Sequence, residues 1–88
     1  MKAAEVTIVN RLGLHARAAA KFVEVAACYS SDIAIEHDSQ RVDGKNIMNV
    51  MLLAAGKGAQ LTVIANGIDE IDALDAIVGL VESGFGED

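Results

Sequence analysis

Tryptophan and proline are absent from this chain, cysteine occurs once, and the aromatic complement is one Tyr and two Phe. Each shortage excludes something. Without a row of aromatics there is no platform on which bases could stack. Acidic residues outnumber basic ones, giving a formal charge of −6, so the clustered basic face of a nucleic-acid binder is missing as well. No apolar run approaches the roughly 18 residues that a membrane span needs. The opening "MKAAEVTIVN" lacks the long apolar segment of a secretory signal. A lone Cys28 rules out a disulfide framework and is expected to be a small, semi-buried hydrophobe. The absence of proline leaves no stiff linker, and 88 residues make one domain, 1–88, with a single core. The expectation is a cytoplasmic, soluble protein.

What is present is aliphatic: 52% of the residues are apolar. Four stretches read as strands: "EVTIVN" (5–10), "DIAIEH" (32–37), "QRVD" (40–43) and "QLTVIAN" (60–66), three of them alternating clearly. Asp38–Ser39 is a plausible tight turn, although it lacks the glycine of a strong hairpin signal. Helices are predicted at 16–28, with Ala19, Phe22, Val23 and Ala26 on one stripe, and at 47–54, with Val50, Leu53 and Ala54 on the core side. A third is predicted at 69–82, facing inward through Ile71, Leu74, Ile77, Val78 and Val81. Asn46 suits the N-cap of the second helix, and the acids of 69–75 suit the start and solvated face of the third. Gly84 and Gly86 should end the order and leave a frayed acidic tail. The order β-α-β-β-α-β-α, with strands apolar on one face, implies an α+β fold. It is an open-faced β-sandwich, a four-stranded antiparallel sheet with three helices on one face.

The stretch "GLHAR" (13–17) puts a titratable ring where the first helix begins. A helix N-terminus offers unpaired N–H groups and about half a positive charge, and so receives anions. That positive end disfavours imidazolium and keeps a nucleophilic nitrogen on His15. A phosphoryl group taken up there would lie close to the amides of Ala16 and Arg17, with the Arg17 guanidinium as a charge-assisted partner. Gly13 lets the loop turn, and Leu14 can anchor it. From this stretch alone a tolerated cap or a partly buried ring is the commoner reading of such a histidine. No metal-ligand spacing joins His15, His37 and Cys28, and no cofactor-binding motif is present. Arg11, Lys21, Lys45 and Lys57 read as solvated cations.

A second stretch, "GKNIMNVMLLAAGKG" (44–58), carries Ile47, Met48 and Met51 on one helix face. If Val50 and Leu53 are buried, these three form an apolar surface, either a partner site or further core. Together, "GLHAR" and "GKNIMNVMLLAAGKG" resemble HPr, the histidine phosphocarrier family of the bacterial phosphotransferase system. The likeness runs from residue 5 to about residue 82. "HARAAAKFV" and "IMNVMLLAAGKG" are most similar to the nitrogen-related branch, NPr. The resemblance implies that His15 is phosphorylated through Nδ1 and that Arg17 stabilises the phosphate. It implies that Ile47, Met48 and Met51 help dock an enzyme I-type phosphotransferase as donor and a IIA-type protein as acceptor. Phosphoenolpyruvate would be the ultimate source, used by the donor and not bound by this chain.

Two positions depart from the family pattern. Ala18 stands where many members have proline, which could loosen the first helical turn. Asn46 stands where serine-regulated members have serine; it caps a helix but has no hydroxyl to phosphorylate, so no phosphate should appear at residue 46 in a mass spectrum. The implied function is that of a monomeric, stoichiometric phosphoryl carrier rather than an enzyme. A regulatory module switched by His15 phosphorylation is the alternative, and a small phosphatase lacks a second group to activate water.

Overall fold

The computed structural model describes residues 1–87. Its elements run β1 (Lys2–Thr7), α1 (Ala16–Ala27), β2 (Asp32–His37), β3 (Gln40–Asp43), α2 (Ile47–Leu52), β4 (Gln60–Asn66) and α3 (Glu70–Glu82), followed by one 3₁₀ turn, Gly84–Gly86. The strands form a single sheet in the order β1-β4-β2-β3, every neighbouring pair antiparallel. This is the expected open-faced α+β sandwich.

Alternation builds the core. Val6, Ile33, Ile35, Leu61, Val63 and Ala65 bury their side chains between the sheet and the helices. Phe22 of α1 and Ile77 of α3, both fully buried, reach the same layer. Asp38 and Ser39 both adopt left-handed backbone, with φ of 49° and 68°, so the tight β2–β3 turn forms without glycine. Both residue types accept that region or bond locally in turns.

Several boundaries shift for identifiable reasons. The alternating stretch at 5–10 does bury Val6, Ile8 and Asn10, yet β1 ends at Thr7. Beyond it, Ile8 exchanges backbone bonds with Ala59 and Gly58, residues just before β4. At the other end, Lys2 and Ala3 extend the strand by pairing with Ala65 and Ile64. Helix α2 stops at Leu52 because Ala54 turns left-handed, at φ 51°, which exposes Ala54 and buries Ala55 in its place. Ile71 sits in the first turn of α3 and is exposed; Ala73 takes the inward position. Cys28 is exposed.

The acidic tail is not frayed through residue 87. Phe85 is fully buried in the core, and Lys21, expected in solvent, donates from Nζ to its carbonyl at 2.7 Å. Lys45 is likewise tied, to the Tyr29 carbonyl at 2.7 Å. A residue with no exposed side chain closes the C-terminal turn over α1.

Candidate functional site

His15 is the N-cap of α1, with extended backbone (φ −76°, ψ −179°). Its carbonyl accepts the first helical bond, from the Ala19 amide at 2.8 Å. Its ring makes no capping bond, so the amides of the first helical turn are not used up by the side chain that would ordinarily take them. No acidic residue occupies that turn. The imidazole is about a quarter exposed, accessible without being loose.

The loop before it is held from three directions. The Gly13 amide donates to the Asn10 carbonyl at 3.1 Å, and the Leu14 amide donates to the Ala55 carbonyl at 2.8 Å. Buried Leu14 fills the space beneath. Asn10, fully buried, donates from Nδ2 to the Gly13 carbonyl at 2.7 Å. The end of the second motif, at Ala55 and Gly56, thus forms the floor on which "GLHAR" rests.

The ring has a partner that the sequence reading missed. Nε2 of His15 lies 2.7 Å from Oε1 of Glu87, 72 residues away in the chain. Oε1 also accepts from Asn10 Nδ2 at 2.9 Å. These bonds, that to His15 first, hold the Glu87 carboxyl below the ordinary glutamate range, against the opposing effect of partial burial. An ionised carboxylate can only accept, so the nitrogen facing it carries the proton. A lone phenylalanine between two glycines in "SGFGED" was the available signal, since an isolated apolar residue in a polar tail marks an anchor.

Arg17 is exposed in the first turn of α1 and, with Arg11, Leu12 and Glu87, lines an open cleft of about 100 Å³. Among the described residues Arg17 forms no ion pair. Two guanidiniums at this cleft provide positive charge beside the helix mouth, and Arg11 joins Arg17 in a way that composition alone did not suggest.

On α2, Asn46 caps the helix as expected: the Asn49 amide donates to its Oδ1 at 3.1 Å. Val50 faces the core while Met48 is 68% exposed, with Ile47 and Met51 partly so. The structure adds Leu52, as exposed as Met48, and Leu12 at the cleft. Helix α2, which carries this apolar surface, packs against α1, the helix that begins at His15.

Comparison with known proteins agrees with this picture. Residues 2–83 match the family described as "PTS HPr component phosphorylation site". The phosphocarrier protein HPr of Pseudomonas aeruginosa is 51% identical over 88 positions, covering 99% of this chain and 98% of that protein. Among solved structures, HPr-C-His from Thermoanaerobacter tengcongensis superposes with a TM-score of 0.96 at 44% identity, covering 100% of this chain and 99% of that one. An HPr dimer from the same organism gives a TM-score of 0.79 at 45% identity, over 99% and 100% of the two chains. A small α+β sandwich with a histidine at a helix N-terminus is the architecture of a phosphoryl carrier. This chain belongs to the HPr family of phosphocarrier proteins of the bacterial phosphotransferase system, which carry a phosphoryl group and are not catalytic enzymes.

Proposed function

We propose that His15 receives a phosphoryl group from an enzyme I-type phosphotransferase and surrenders it to a IIA-type acceptor. One observation carries the reading: the imidazole stands at the N-cap of α1, accessible and not spent on capping. The transition state of phosphoryl transfer is loose, so positioning and charge stabilisation do most of the work. The amides of Ala16 and Arg17 and the Arg17 guanidinium supply that charge. Ile47, Met48 and Met51 dock both partners in turn, which suits a small interface that forms and breaks quickly. Donor and acceptor must use the same face, since both reach the same nitrogen.

The chain acts as a cytoplasmic monomer in this reading; among the described residues no helix is long and apolar enough to cross a membrane. Its likeness to the nitrogen-related branch rests on "HARAAAKFV" and "IMNVMLLAAGKG", so enzyme I-type donors of the transport and nitrogen-regulatory branches are compared side by side.

The test uses phosphoenolpyruvate, a donor enzyme and the full chain. Wild type should gain one equivalent of acid-labile phosphate and His15→Ala none; label retained in His15→Ala overturns the assignment. Arg17→Ala should slow transfer about 10- to 100-fold, the worth of a charge-assisted hydrogen bond. Met48→Asp should raise KM for both partners while leaving the maximal rate nearly unchanged, as loss of uniform binding does.

A further inference from the structure

Glu87 lies outside every motif that the sequence singled out, yet it makes the shortest side-chain contact to His15. We propose that Glu87 is a positioning residue for His15: its carboxylate fixes the Nε2–H tautomer and thereby reserves Nδ1 as the attacking nitrogen. The proposal rests on the carrier reading for its consequence, and on geometry for its cause.

The geometry is built rather than incidental. Three successive left-handed residues, Gly84, Phe85 and Gly86 (φ 70°, 58° and 73°), turn the chain back over α1. Buried Phe85 anchors that turn, and the Glu87 amide closes it by donating to the Gly84 carbonyl at 3.0 Å. Lys21 grips the Phe85 carbonyl. Asn10 then ties both sides together, because its Nδ2 donates to Gly13 in the histidine loop and to Glu87 Oε1. Oε2 of Glu87 is buried without a partner among the described residues. The carboxylate's bonding is therefore concentrated on the one oxygen that meets the ring.

A neutral imidazole has one N–H and one lone pair, and only the second nitrogen can attack. With Nε2–H committed to a carboxylate, the lone pair is on Nδ1. In the transfer step Nδ1 forms a bond to phosphorus while the donor's N–P bond breaks, its electron pair returning to the donor nitrogen. No proton has to move. The ring leaves the step as a cation that keeps Nε2–H, and the Glu87 carboxylate offsets the charge it has gained. The charged groups facing this pair are Arg17 and Arg11 across the cleft and Lys21 from α1. All are cations, and Lys21 adds to the hydrogen bonds that keep Glu87 ionised.

Two variants and two readouts test this. Glu87→Ala removes the acceptor, whereas Glu87→Gln keeps an oxygen that can accept from both Nε2–H and Asn10. Ring ¹⁵N shifts should show the Nδ1–H tautomer growing in Glu87→Ala and staying minor in Glu87→Gln. Phosphorylation by the donor enzyme should slow about tenfold in Glu87→Ala, in line with other hydrogen-bonded partners that orient a histidine, with KM unchanged. Glu87→Gln should recover most of the rate. Unchanged ring shifts in Glu87→Ala overturn the proposal, as does equal slowing in both variants, which would mark a structural role only. His15→Ala separates the two readings: label there sinks the carrier assignment, while unlabelled His15→Ala with an unaltered Glu87→Ala sinks only the role of Glu87.

Discussion

Gly13 shows how little freedom the residues around His15 have. Its φ is +68°, and a Cβ placed there would lie 2.7 Å from the Ala55 carbonyl oxygen and 2.8 Å from the Gly56 Cα. Both neighbours are backbone and neither can swing aside. Gly13→Ala therefore combines a strained dihedral with a steric push against the floor of the loop, and should destabilise the fold by about 1–3 kcal/mol. For a domain this small, that lowers Tm by several degrees per kcal/mol, which calorimetry reads directly. Transfer through His15 should fall as well, because the displaced segment carries its backbone. The turn at Gly13 and the histidine beyond it were legible in the sequence, since local chemistry sets both. Glu87 was not, because its partner is 72 residues away and no local pattern encodes a contact that only the closed fold creates.

The three helices differ in how far their pattern reveals their role. Helix α1 follows its stripe, burying Ala19, Phe22 and Ala26. Helix α2 is shorter than its periodicity suggests, since the chain must dive at Ala54 to bring Ala55 under Leu14; tertiary demand overrides propensity there. At α3 the acids are more specific than a solvated face. Asp69 accepts from the Ser30 and Ser31 amides at 2.8 and 2.9 Å, clasping the loop before β2, while Glu70 accepts from the Gly67 amide at 3.1 Å. Gly79 stands in the middle of α3, exposed, and an added Cβ there would meet nothing within 4 Å. Gly79→Ala should raise stability by about 0.4–1 kcal/mol through the unfolded chain's lost freedom. Urea denaturation checks this; a destabilised variant would show that the helix is bent at that point. Because α3 carries none of the proposed site residues, phosphoryl transfer should be unaffected.

At the scale of the whole fold, three carboxylates among the described residues are held below their ordinary range by hydrogen bonds: Asp69 mainly by Ser31 and Ser30, Glu70 by the Gly67 amide, and Glu87 by His15. A depressed carboxyl stabilises the fold in its ionised form. That contribution is complete above the unfolded-state values near 4 and is lost as pH falls through the lower folded-state ones. The urea midpoint should hold between pH 7 and 5 and decline below about 4. Asp69→Asn should flatten that acid limb, since one of the titrating clasps is gone; an unchanged slope would mean that other groups govern it. The tail clasp on His15 belongs to the same set, so acid should also release the ring from its partner.

The register of β1 has a practical corollary. Lys2 pairs with Ala65 at one end of the strand, Thr7 with Gln60 at the other, and the Met1 ammonium contacts Glu70 at 3.0 Å. Five residue steps of extended chain, about 17 Å, separate Met1's end of the strand from the end that leads towards His15. Fluorophores, biotin handles or a sensor-chip tether fixed near Met1 would leave the reactive pole facing bulk solution. The same attachment made beyond Phe85 would tug directly on the imidazole.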